Sequence, residues 1–150
     1  MSYIFEHAKS RLGAGADILD VKVGLPGVDE VEVLPSVALT VSENFDVPIC
    51  LDSSNREALI AALKVMSGKP LVNSVNGEEA SLNAVMPIAK EYRAAVVGLT
   101  MDDDGIPNDS ERRLSVAGKI LERAAKVGFS VEDVVIDTRL ITVGRTKTPA

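Results

Sequence analysis

A chain of 150 residues that is 46% hydrophobic is long enough to bury a core of its own, which sets aside a disordered tail. Its net charge of −6, with no basic cluster to offset it, repels a phosphate backbone and argues against nucleic acid as a partner. No apolar stretch approaches the roughly 20 residues of a membrane span, and charges occupy the opening MSYIFEHAKSRLG where a signal peptide is apolar. The expected location is therefore the cytoplasm, without membrane contact.

The single cysteine, Cys50, cannot form an intrachain disulfide, and with one histidine, His7, the chain lacks the donors of an ordinary zinc site. No directly bound metal is expected. His7 falls in an N-terminal helical stretch and reads as a solvated side chain, while Cys50, Met66, Met86 and Met101 read as packing residues.

Taken in chain order, that first helix leads into ADILDVKVG (16–24), a β-branched run, and then into a helical segment over 28–44. VPICLDSS (47–54) is followed by a helix over 55–67, PLVNSVNG (70–77) by one over 78–92, and AAVVGLTM (94–101) by one over 109–127. DVVIDTRL (133–140) is the last strand-like run. Pro35 and Pro87 fall inside two helical segments and predict a kink or a broken turn there. Strict alternation of short apolar strands with helices predicts an α/β domain over 1–150, with parallel strands covered by helices. Periodicity leaves open an open doubly wound sheet or part of an eight-stranded barrel. No glycine-rich phosphate loop follows any strand, and LGAGAD runs from helix to strand, the wrong direction for a dinucleotide fingerprint.

In a parallel α/β fold, ligands gather at the C-terminal ends of the strands. Those ends carry Asp20, Asp52, Asn73, Thr100 and Asp137. For Asp20 and Thr100, helix capping, local turn bonding and a ligand role stand level. Ser53, Ser54 and Asn76 are better placed as caps, which frees Asp52 and Asn73 for a ligand. No helical segment follows Asp137, so capping is not its expected role. Two carboxylates and a carboxamide at one mouth suit a neutral heterocycle with an amino-amide edge, such as a pterin or a guanine. A carboxylate accepts two parallel N–H bonds from that edge, and an asparagine both donates and accepts.

CLDSSN (50–55), LVNSVNGEE (71–79), GLTMDDDGIPNDSERR (98–113) and VVID (134–137), on successive strands and preceded by ADILDVKVGLPGVDE, resemble the pterin-binding barrel of methyltetrahydrofolate:corrinoid methyltransferases. Dihydropteroate synthase and the folate domain of cobalamin-dependent methionine synthase belong to the same superfamily. The resemblance implies a (β/α) TIM-type barrel in which Asp52, Asn73 and Asp137 hydrogen-bond the pterin. It further implies transfer of a methyl group from N5 of methyltetrahydrofolate to Co(I) of a corrinoid carried by a partner protein. Asp20, Lys22, Thr100 and Asp102 become candidate mouth residues.

Only about five of the eight strands are recognised, and by the resemblance they correspond to strands two through six, so an incomplete barrel is expected. The family's group that assists N5 lies on a later strand, leaving the catalytic residues unassigned. Association with a second copy, or with a chain that completes the barrel, is expected from the open sheet edges. Lys22 stands where the family usually has asparagine, placing a cation at the mouth that is expected to pair with Asp20 or to disturb the pocket. After Asp137 the family continues with proline and leucine, whereas this chain has Thr138 and Arg139. Arg139 is expected at a solvated edge or bridging to Asp137, and the tail RTKTPA is expected not to pack. TMDDDGIPNDSE (100–111) imitates an EF-hand loop, yet Thr100 replaces the first aspartate and Pro107 intrudes; the expected structure is a loop at the mouth with solvated carboxylates and a helix capped by Asp109 or Ser110. Dihydropteroate synthase is the enzymatic rival, but its GESTRPG-type loop is absent from DVKVGLPGVDE. A non-catalytic fragment or split-barrel subunit is the third reading.

Overall fold

The computed structural model describes residues 2–138. Arg139 and the RTKTPA tail lie outside the described residues. Helix α1 (Ser2–Gly13) precedes β1 (Leu19–Lys22), α2 (Glu30–Asn44), β2 (Ile49–Asp52), α3 (Arg56–Val65), β3 (Leu71–Asn76), α4 (Glu79–Glu91), β4 (Ala95–Leu99) and α5 (Ser110–Val127). A 3-10 turn (Val131–Asp133) then delivers β5 (Val134–Asp137). Among the described residues no helix is long and apolar enough to cross a membrane.

All strand pairs are parallel, and their spatial order, β1-β2-β3-β4-β5, is their sequence order. A doubly wound sheet reverses direction at a switch point, whereas a barrel adds each strand beside the last. The observed order resolves the choice in favour of barrel-type topology.

Local chemistry sets the helix starts. Asp29 accepts from the Val31 amide at 2.9 Å, Asn55 from the Glu57 and Ala58 amides at 3.0 and 3.1 Å, and Asp109 from the Arg112 amide at 2.7 Å. Each satisfies amide groups that the first turn leaves without an intrahelical partner. The α3 cap is thus Asn55, neither Ser53 nor Ser54. Asn76 closes a turn onto the Glu78 amide at 3.0 Å just ahead of α4. Gly128, at φ 94°, ends α5 in the left-handed conformation, its amide bonding the Ala124 and Ala125 carbonyls.

Both prolines are carried within helices that continue through them, so neither breaks its helix. Pro87 lies on the exposed face of α4, while Leu82, Val85, Met86, Ile88 and Ala89 bury the other face on both sides of it. The proline's cost of about 3 kcal/mol is offset because packing holds the turns before and after it in place.

Strand side chains alternate: Leu19 and Val21 of β1 are buried and Asp20 and Lys22 exposed. The buried set, including Leu51, Val72, Val75 and Val96, meets Leu34, Leu59, Leu82, Met86 and Ile120 of the helices in one core. The opposite face carries Asp20, Lys22, Asp52, Asn73, Val97, Val135 and Asp137, with Val135 51% exposed.

Gly98 in β4 lets α5 approach. A Cβ there would meet Ile120 Cγ2 at 2.9 Å and Ile136 Cδ1 at 3.2 Å. Gly98→Ala is expected to lower stability by about 1–3 kcal/mol through overpacking. An unchanged urea midpoint would show that α5 can move off the sheet at little cost.

Candidate functional site

The C-terminal ends of the strands present their polar groups in rows fixed by register. Lys22 pairs with Asp52, Asp52 with Asn73, and Asn73 with Val97, whose own partner on β5 is Val135. Register partners in parallel strands face the same side, about 4.8 Å apart, so Lys22, Asp52 and Asn73 share one surface. Neither Asp52 nor Asn73 caps a helix. The Asn73–Ser74 peptide is cis, and the register shifts between Asn73 and Val75. Beyond that shift, Asn76 pairs with Leu99 and Leu99 with Asp137. Asp137 therefore stands two residues past Val135, and two strands from Asn73. That offset equals in size the stagger of an eight-stranded barrel of shear 8, about one residue per strand.

Asp137 is held by its backbone. Its carbonyl accepts from the Thr100 amide at 2.9 Å and from the Thr100 hydroxyl at 3.1 Å. Thr100, 1% exposed, has its hydroxyl committed to that contact. Its place at the mouth is that of a support beneath Asp137.

Lys22 pairs with Asp52, not with Asp20: its Nζ donates to Asp52 Oδ2 at 2.8 Å. Asp20 and Lys22 are two residues apart on one strand, about 6.6 Å, whereas Asp52 is directly across at about 4.8 Å. The hydrogen bond and charge of Asp52 raise the Lys22 pKa, with smaller contributions from Asp20 and Glu30. Asp20 faces Cys50, its register partner. Burial, and then the Asp20 carboxylate beside it, push the Cys50 thiol above its ordinary range, so it remains a protonated packing group.

The loops above the strand ends are tied to one another. Ser53, 6% exposed, donates to Glu30 Oε2 at 2.5 Å and accepts from the Asn55 amide at 3.0 Å, joining the first turn of α2 to the loop after β2. The sequence carried no signal for this contact, because Glu30 reads as an ordinary first-turn acid. Asp102 and Asp104 both engage Arg112, with Asp102 Oδ2 at 3.1 Å, so these two carboxylates are paired instead of simply solvated. These contacts raise the Arg112 pKa, the hydrogen bond to Asp104 first and that to Asp102 next. Gly77 donates to the Met101 carbonyl at 2.8 Å and accepts from Lys119 at 2.6 Å, linking the loops after β3 and β4.

Below these loops, Glu79 on α4 binds Arg123 at 2.5 Å and Lys119 at 3.1 Å on α5. Arg123 first, then Lys119, holds the Glu79 carboxylate below its ordinary value of 4.5. A depressed carboxylate contributes stability above its unfolded value and loses it as pH falls through the folded one. Glu79→Gln is accordingly expected to lower Tm slightly at pH 7 and to leave it unchanged in acid below that window. Equal Tm values at neutral pH would show that the contact adds nothing to stability.

The chain matches the family described as pterin binding enzyme over residues 1–150. The methionine synthase of Mycobacterium tuberculosis is 30% identical over 142 residues, covering 91% of this chain and 12% of that protein. The methylcorrinoid:tetrahydrofolate methyltransferase of Eubacterium limosum is 30% identical over 138 residues, covering 91% of this chain and 51% of the relative. The chain thus spans about half of that methyltransferase and a small part of methionine synthase. Among solved structures, the dihydropteroate synthase of Clostridium difficile, crystallised in the presence of pteroic acid, superimposes with a TM-score of 0.67 at 26% identity, over 88% of this chain and 53% of that one. The 7,8-dihydropteroate synthase of Vibrio fischeri gives 0.70 at 19% identity over 95% and 57%, a likeness of fold. Five parallel strands in barrel order, covering about half of these chains, form an incomplete TIM-type barrel.

Proposed function

Because the chain belongs to the pterin binding enzyme family, we propose that it binds methyltetrahydrofolate across the C-terminal ends of β2, β3 and β5 and serves methyl transfer between that folate and a protein-bound corrinoid. The observation that carries this reading is the alignment of two carboxylates and a carboxamide on one face of the sheet: Asp52 and Asn73 as direct register partners, and Asp137 offset by the barrel stagger. Asp137 accepts the amino-amide edge of the ring, Asn73 both donates and accepts, and Asp52 accepts a ring N–H. The name of the Eubacterium limosum relative supports the corrinoid as the other methyl carrier.

Breaking the bond from a methyl carbon to a tertiary amine nitrogen requires a proton or hydrogen bond at that nitrogen. The corrinoid of the partner protein supplies the reactivity toward the methyl carbon. The residues of this chain bind the ring and fix its orientation beneath the partner. The test is titration calorimetry with methyltetrahydrofolate, followed by methyl exchange with a corrinoid protein. Saturable binding is expected; its absence contradicts the reading.

The likeness to dihydropteroate synthase of Clostridium difficile favours a second reading. Incubation with the pterin pyrophosphate and p-aminobenzoate separates the two, since formation of dihydropteroate would reverse the assignment. The exposed Val135 on the open face supports the proposal that a second copy or a complementary chain covers the sheet. Sedimentation as a dispersed monomer counts against it.

A further inference from the structure

The ion pair at the edge of the site bears on how much of Asp52 a ligand can use. Lys22 and Asp52 are direct register partners at the ends of β1 and β2, and Lys22 Nζ donates to Asp52 Oδ2 at 2.8 Å. Among the described residues this is the one hydrogen bond that the ammonium makes. The Lys22 side chain is 64% exposed and that of Asp52 22% exposed, so the pair sits on the open face and not inside the core. The negative surroundings, Asp20 and Glu30 as well as Asp52, keep the lysine charged. An ammonium is a single-point donor, whereas a guanidinium takes both oxygens of a carboxylate at once.

We propose that Lys22 is a positioning residue of the pterin site: by holding Oδ2 it competes with the ligand's N–H groups for the acceptor positions of Asp52. A ligand N–H then meets Asp52 chiefly through Oδ1, the oxygen that Lys22 leaves open. This rests on the pterin reading above and assigns a residue to setting its geometry. A lysine placed only to stabilise the fold would leave ligand affinity unchanged by its replacement.

The experiment is calorimetric titration of methyltetrahydrofolate into the wild type, Lys22→Met and Lys22→Arg, each also in an Asp52→Ala background, with thermal unfolding measured alongside. The three side chains at position 22 occupy one, none and two oxygens of Asp52. Lys22→Met is expected to bind more tightly than wild type by about two- to five-fold, the size of an exposed ion pair, and Lys22→Arg more weakly by a similar factor. Raising the salt concentration should narrow the gap between the wild type and Lys22→Met, because exposed pairs are screened. In the Asp52→Ala background the three affinities should coincide. Equal affinities across the three single-background proteins, or weaker binding by Lys22→Met with an unchanged Tm, overturn the role of Lys22 while leaving the pterin reading intact. Absence of binding by all of them overturns both.

Discussion

Asp137→Ala is expected to weaken methyltetrahydrofolate binding by about ten- to one-hundred-fold. Hydrogen bonds to an ionised group contribute about 1.5–3 kcal/mol, and deleting the carboxylate leaves the ring's N–H donors facing the site without their acceptor. The strand end should stay in place, because Thr100 grips the Asp137 carbonyl through both its amide and its hydroxyl, and those two contacts do not use the side chain of Asp137. Asp137→Asn is a sharper probe. It preserves volume but offers one acceptor and one NH2 group where two acceptors are needed, so it should lose at least as much affinity as alanine. Binding by Asp137→Asn within two-fold of wild type would remove Asp137 from the site.

The largest effect on stability is expected at Ile120. This residue is fully buried on α5 and lies against the strand at Gly98. Truncation to alanine removes apolar contacts and leaves a cavity between helix and sheet, at a cost of about 2–5 kcal/mol. Against a domain stability of about 5–15 kcal/mol, that is a large fraction of the total. Urea denaturation should show a lower midpoint with the slope retained. A loss below about 1 kcal/mol would mean that α5 settles onto the sheet and fills the space.

The sheet was legible in the sequence because its signal is local. The β-branched run at 47–54 contains β2, Ile49–Asp52, and the run at 94–101 contains β4, Ala95–Leu99. The run at 133–140 contains β5, Val134–Asp137, and its last two residues lie outside the described residues. Asp52 and Asp137 end their strands as the sequence suggests, whereas Asn73 lies midway along β3, just before the register shift, and parallel pairing brings it to the same face.

What the sequence hid was contact between groups far apart in the chain. Ser53 reads as a helix cap, but its hydroxyl reaches back to Glu30, and the cap passes to Asn55. Lys22 has a carboxylate two residues away, yet pairs with one thirty residues away because strand geometry puts Asp52 closer. The acidic run after β4 suggests solvation until the chain curls back and brings Arg112 onto Asp102 and Asp104. Pro87 reads as a kink or a broken turn because propensity omits the packing that holds α4 together around it, and the helix runs on through it. Local pattern thus identified the strands and the residues at their ends, while partners set by register and loop closure required the three-dimensional arrangement.

A crystal structure of the protein with methyltetrahydrofolate would test the proposed site most directly. The expected result is a ring lying across β2, β3 and β5, its amino-amide edge at about 2.6–3.2 Å from the Asp137 carboxylate and one ring N–H on Asp52 Oδ1, with Asn73 between them. A ring bound elsewhere on the molecule, or one that leaves Asp137 and Asn73 without contact to it, would contradict the assignment.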